Sequence, residues 1–265
     1  MKKIMNAISL YGHYVSVNVR SAMQYKTSLL LMMMGQLLVS FSTFFGIHFM
    51  FMRFESVKGY TYPEVLVCFS IVLLQFSLAE MIARGFDTFA GIVRRGEFDR
   101  VLVRPRSAIL QVLGAKFELS RLGRMAQAII IFAYAMGSGR VAWTVSRFLT
   151  LILMLLGGTL LFAGLFLAYA ALCFFTLEGL EFMNVFTDGG REYGKYPVDI
   201  YGKRLLQFST VVIPYAMVQY YPLQYLLGRS SCAWYALCPL GAVPFLAACY
   251  ALWRVGVSKY TSSGS

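Results

Sequence analysis

The sequence predicts an all-α, polytopic membrane protein with six transmembrane helices, and three observations predict it. Apolar residues make up 58% of the 265 positions, with a mean hydropathy of +0.64, above the roughly 45–50% apolar content of a soluble domain. Residues 27–52 and 148–176 contain no charged side chain, and each exceeds the ~20 residues needed to cross hydrocarbon. The 24 lysines and arginines lie mostly between the apolar runs. That placement explains the net charge of +12 by membrane topology and argues against a nucleic-acid partner, which would need a continuous basic face.

Residues 1–26 place Ile4, Met5, Ile8, Tyr11, Val15 and Val19 at helical intervals with Lys2, Lys3, Arg20 and Lys26 on other faces, the pattern of an amphipathic helix lying in the membrane interface. Polar Asn6, Ser9, His13 and Asn18 interrupt the apolar core that a signal peptide requires, so cleavage there is not expected. The first span is 27–52 and the second runs from about 63 to 82, with Glu64 and Glu80 near its ends as interfacial anchors. Lys116, Glu118, Arg121 and Arg124 precede the charge-free stretch 125–139. Each would cost about 2.5–3.5 kcal/mol at mid-bilayer. The third span is therefore expected to enter the membrane near Leu122, with Arg121 and Arg124 snorkelling to its boundary. A fourth span covers 148–176. A fifth, over 205–227, is interrupted by Pro214 and Pro222 and predicts a crossing that breaks into a re-entrant element before the sixth span at 233–253.

Six spans place both termini on one side. By this topology that side carries 19 basic residues and the other 5, so the termini and both polar inserts, 84–106 and 177–204, are assigned to the cytoplasm of a multi-pass protein in a bacterial inner membrane.

Catalytic and metal patterns are thin. The five cysteines stand singly in apolar context and read as small apolar residues. His13 and His48 fall on opposite sides of the membrane and cannot share a site. Residues 189–195 follow the GxxxxGK spacing of a phosphate loop, but Tyr196 stands where Ser or Thr would hold magnesium and Pro197 follows. A glycine-rich turn in a cytoplasmic loop is the better reading.

The insert 84–106 carries the densest pattern. Arg84, Arg94, Arg95, Arg100, Arg104 and Arg106 outnumber its acids, and Asp87, Arg94, Arg95, Glu97, Asp99 and Arg100 alternate in sign, with Gly91 and Gly96 dividing the segment. One reading is a solvated loop held by arginines at lipid phosphates. The other is a short helix docking in the groove of a cytoplasmic partner, with Phe86, Phe89 and Phe98 as apolar anchors. Length and aromatic content favour the second.

The segments EFDRVLVRP (97–105), TLEGLEFMNVFTDGGREYGKYPVDIYGKRL (176–205), IPYAMVQYYPLQYLLG (213–228) and the terminal RVGVSKYTSSGS resemble the permease subunits of type-2 ATP-binding-cassette exporters. More narrowly, the chain resembles a bacterial family of uncharacterised ABC permeases encoded as two related permeases beside one ATPase. The resemblance implies a cytoplasmic coupling helix between spans two and three, re-entrant helices before span six, and pairing with a second permease, related or identical. It implies two cytoplasmic ATPase subunits that bind ATP and magnesium, with no cofactor in this chain. Coupling then falls to Asp87, Arg94, Arg95, Glu97, Asp99 and Arg100, and Glu178, Glu181, Asp188 and Arg191 offer a second cytoplasmic contact. The apolar spans suit an amphiphilic cargo. Two rivals stand beside this reading: a secondary carrier, which needs charge at mid-membrane, and a membrane-embedded lipid-processing enzyme, which needs clustered acids.

Overall fold

The computed structural model describes residues 2–138, 141–176 and 180–261, with side chains from Asn6 onward. It is 82% helical, and its helices are α1 Lys2–Gln24, α2 Lys26–Arg53, α3 Tyr62–Asp87, α4 Phe89–Arg94, α5 Glu97–Val103, α6 Ala108–Gly114, α7 Leu122–Met136, α8 Val145–Leu172, α9 Met183–Tyr193, α10 Lys203–Val211, α11 Tyr221–Leu226, α12 Ala233–Leu237 and α13 Ala242–Lys259. Among the described residues four helical stretches are long and apolar enough to cross a membrane: Lys26–Arg53, Tyr62–Arg94, Val145–Leu172 and Ala233–Lys259.

Helix α3 is the axis of the bundle and packs along α7 and α8, while α13 covers the other side of α8. Its start is fixed locally: the Glu64 carboxylate accepts the Thr61 N–H at 2.8 Å and the Thr61 hydroxyl at 2.9 Å, a capping box that satisfies donors the helix leaves open. Its far end bends at Ala83, whose φ of −112° and ψ of 15° leave the helical region. There Gly85 packs against the chain of α6, and a Cβ on it would stand 1.9 Å from the Val112 carbonyl oxygen. The chain thus turns out of the bundle where the polar insert begins. Helix α1 lies at the same end, where the Tyr11 hydroxyl donates to the Ile82 carbonyl at 3.0 Å and the Asn18 amide to the Gly114 carbonyl at 3.2 Å.

Residues 180–226 depart from expectation. Leu180 joins the core formed by the insert end of α3 and α8. Nineteen residues later Asp199 has reached the opposite end of the bundle: its carboxylate accepts the Tyr60 hydroxyl at 3.2 Å and its carbonyl accepts Lys58 Nζ at 2.9 Å, both from the α2–α3 loop. The segment expected to be one cytoplasmic insert, 177–204, therefore runs the length of the bundle, with α9 along α3 and α8. Its charges misled the hydropathy reading because Arg191, Glu192 and Lys195 pair within the segment.

The stretch expected as a fifth crossing, 205–227, instead dips and returns. Helix α10 starts beside the 198–201 turn near Tyr60, and the chain descends to Tyr215, whose hydroxyl donates to the Phe186 carbonyl and whose ring lies 5.9 Å from Phe162. It climbs back through a π-helical turn, Ala216–Tyr220, and α11. Gln219 donates to the Gly194 carbonyl at 2.5 Å and the Cys68 carbonyl at 3.2 Å, and Gln224 donates to the Tyr60 hydroxyl at 2.5 Å. Arg229 then closes on Glu64 at 2.8 Å. The two prolines do break the segment, but at its depth and on its return rather than after a full crossing.

Candidate functional site: an external coupling surface and a buried cation cluster

The insert folds as two short helices joined by Gly96, whose φ of +66° puts it in the left-handed region that glycine adopts without Cβ strain. The expected apolar anchors face inward. Phe89 and Phe98 are fully buried and Phe86 nearly so. Phe89 and Phe98 meet at 5.2 Å, Phe98 lies 5.1 Å from Phe174 and 5.0 Å from Tyr260, and Phe89 lies 5.1 Å from Trp253. These rings hold the insert to the ends of α8 and α13. They are not available to a partner, because burying aromatic surface inside the chain outweighs displaying it to water.

The expected coupling charges separate into two groups. Asp87 is drawn to Arg84 at 2.7 Å and Asp99 accepts the Tyr260 hydroxyl at 3.0 Å, so both brace the insert from below. Arg94, Arg95 and Arg100 are exposed, and Glu97 is partly so. Arg95 grips Glu97 in a two-pronged pair at 2.7 and 3.1 Å; that hydrogen bond holds the Glu97 carboxyl below the usual carboxylate range. Next to them Leu102 and Val103 are exposed apolar residues, Val103 at 85%, ahead of exposed Arg104 and Arg106. Gln111 steadies this tip by donating to the Val101 and Arg106 carbonyls at 3.0 and 3.2 Å. The outward surface is thus basic with an aliphatic tip, and the aromatics are its foundation.

A second cluster lies inside the bundle. Glu80 is 4% exposed and takes ion pairs from Arg124 at 2.6 Å, Arg121 at 3.1 Å and Arg84 at 3.2 Å. Gln36 of α2 accepts from Arg121 at 2.8 Å and Arg124 at 2.5 Å. Arg121 and Arg124 were expected to snorkel outward. They turn inward, because a buried carboxylate repays more of their desolvation than the interface does. Glu80 is correspondingly a buried counter-ion and not an interfacial anchor. Arg191 stacks over Phe76 at 5.0 Å, with Arg124 on the same ring at 5.9 Å. This brings α2, α3, α7 and α9 together around charge.

Arg191 was expected beside Glu178, Glu181 and Asp188 in a cytoplasmic contact. Glu178 lies outside the described residues. Glu181 is exposed on the 180–182 turn, Asp188 is exposed 3.7 Å from Arg191, and Arg191 itself lines the interior cleft. The phosphate-loop look-alike is helix, not a turn: Gly190 makes room for the Tyr215 ring, and Gly194 caps α9 with its carbonyl on Gln219. Glu80 and the α3–α7 arginines went unrecognised in the sequence as one site, although their helical spacing of three to four residues (Glu80 with Arg84, Arg121 with Arg124) was a signal.

Among the described residues no three His, Cys, Asp or Glu side chains converge as a metal set would. Residues 37–264 match the model of the ABC-2 family transporter proteins, and the chain belongs to that family. It is therefore the membrane permease component of an ABC transporter. No curated protein and no solved structure matches the chain.

Proposed function

We propose that this permease exports an amphiphilic substrate across a bacterial cytoplasmic membrane, driven by ATP hydrolysis on two copies of a separate ATPase that grip the exposed face of α4 and α5. The observation that carries the reading is the form of that insert: Arg94, Arg95, Arg100 and the aliphatic pair Leu102 and Val103 face outward on a base of buried aromatics. A rigid foundation under an exposed tip suits a part that must transmit force, because motion at the tip is not absorbed below it. The Phe98–Tyr260 and Phe89–Trp253 contacts lead directly into α13, and Phe174 into α8.

In this reading α2, α3, α7, α8, the stretch 180–199 that contains α9, and α12–α13 make six crossings, α10 and α11 form a re-entrant pair entering from the outer face, and a second permease, related or identical, completes the pathway. Moving Lys203 and Arg204 to the outer side and Arg121, Arg124, Arg191 and Lys195 into the bundle changes the basic-residue balance to 13 against 7. It still favours cytoplasmic termini and a cytoplasmic insert.

The sequence argument against a secondary carrier was the lack of charge at mid-membrane, and the buried Glu80 cluster removes it. Family membership decides against the carrier instead. The enzyme rival needs converging acids, whereas Glu181 and Asp188 are exposed and Glu192 is bound to Arg191 and Lys195.

Reversing Arg94 and Arg95 to glutamate tests the coupling surface. Co-purification of the partner ATPase should fall sharply while the permease still runs as a single species in detergent. Undiminished association would rule out α4 and α5 as the docking element.

A further inference from the structure

The cleft between α2, α3, α7 and α9 carries more positive charge than its surroundings neutralise. It is a narrow cleft with a cavity volume of about 30 Å³ that opens outward, and its walls include Ser40, Thr43, Arg124, Arg191, Glu192 and Lys195. Glu80 and Glu192 are two carboxylates against Arg121, Arg124, Arg191 and Lys195. Arg84 draws on both Glu80 and Asp87, and Asp188 stands 3.7 Å from Arg191 as a third carboxylate. Four cations against three carboxylates leave one positive charge over, which is costly in a low-dielectric bundle unless an anion joins it.

Two donors are also unspent. Ser40 is 6% exposed, and its hydroxyl has no hydrogen-bond partner. Arg191 Nε is buried and unpartnered although the Nη end of the same guanidinium is engaged. A guanidinium edge, an ammonium and a hydroxyl around one opening form the donor set that recognises an oxyanion.

Val39 connects this polar opening to lipid. It lines the cleft and is 68% exposed, on the same helix as exposed Leu31 and Leu38. An anion held at Arg191 would have an apolar track beside it along α2.

Building on the proposed transport of an amphiphile, we propose that this cleft binds the anionic head group, a phosphate or carboxylate, of the transported amphiphile while its tail lies along α2. Arg191 and Lys195 supply charge and Ser40 a neutral hydrogen bond, and Arg124 is kept in place by Glu80.

The test uses the full chain in nanodiscs of phosphatidylcholine, with dodecyl phosphate, dodecyltrimethylammonium and inorganic phosphate as probes in equilibrium binding. Dodecyl phosphate should bind saturably and the cationic detergent should not. R191Q should weaken dodecyl phosphate at least about tenfold, the loss expected for one charge-assisted contact. R191K should restore part of the affinity, and S40A should weaken binding by about threefold without changing charge. Equal binding of the two detergents, or unchanged affinity in all three variants, overturns the proposal. Inorganic phosphate binding as tightly as dodecyl phosphate overturns the amphiphile and leaves a small-anion site. ATPase co-purification separates this inference from the transport reading. R191Q should keep the ATPase bound, so loss of head-group binding with the ATPase retained is the expected pair. Head-group binding in a chain that never associates with an ATPase would sink the transport reading and leave the site.

Discussion

Helices α2 and α3 are near neighbours in sequence and both are apolar enough to cross a bilayer, with window hydropathies of 1.7 and 2.2. Only 11% of the most apolar window of α2 is buried within the protein, against 78% for α3. Lipid tails are as apolar as leucine, so hydropathy selects helices for the membrane without saying which belong inside the bundle. The difference lies in small and polar groups. On α3, Ser70, Gln75, Ser77 and Glu80 are all buried, and Gln75 donates to the Met154 carbonyl at 2.8 Å. On α2, Leu30, Leu31, Met34, Leu38 and Phe49 are exposed, and contact with the bundle is made through Gln36, Ser40 and Ile47. Gln75 and Glu80, which find partners on other helices, therefore mark α3 as interior, whereas Ser42 of α2 bonds back to its own helix at the Val39 carbonyl and stays exposed.

Five substitutions would break or sharpen this contrast. The largest effect is expected at the charge buried on α3. Glu80→Ala leaves Arg121 and Arg124 without their carboxylate and should cost about 3–5 kcal/mol, read as a collapse of the thermal transition in detergent. Preserved thermostability would mean the arginines had escaped to the interface. Gly85→Ala should follow, because its Cβ meets backbone 1.9 Å away that cannot rotate aside. A loss of about 1–3 kcal/mol or more, with detachment of α6, is expected, and protease cutting within 104–107 would report it. Gln75→Leu should cost about 0.5–1.5 kcal/mol, because it removes one hydrogen bond from a Met154 carbonyl that keeps its bond within α8; a loss above about 3 kcal/mol in thermal unfolding would mean Gln75 also holds α3 and α8 in register. The smallest effect falls on α2: Gly35→Ala and Gly46→Ala meet nothing within 4 Å. Each should change stability by less than about 0.5 kcal/mol or raise it slightly through helix propensity. A large loss there, in the assembled transporter alone, would place a permease partner on that face.

The insert shows how the sequence was partly legible. Its break at Gly96 followed from the glycine, whereas α3 runs on to Asp87, and Gly91, expected to divide the segment too, lies inside α4. The direction of Phe86, Phe89 and Phe98 did not follow from the sequence. An aromatic beside arginine reads the same whether it faces a partner or its own bundle, and the rings that claim these three, from Phe174, Trp253 and Tyr260, come from 70 or more residues away.

The same reason divides the molecule as a whole. Charge-free windows establish α2 and α8, and alternation of charged and apolar runs establishes a helical membrane protein, because the cost of placing an unpaired charge in lipid is local and acts on every residue alone. The route of 180–226 follows no such local rule. Arg191, Glu192 and Lys195 can enter the bundle because they pair with one another and with the Phe76 ring, and Asp199 reaches the far end because Lys58 and Tyr60 await it there. Gln219 stays deep because Cys68 and Gly194 accept its amide. A polar group's tolerance of the membrane interior depends on a partner distant in the chain, and that partner exists only once the helices have packed.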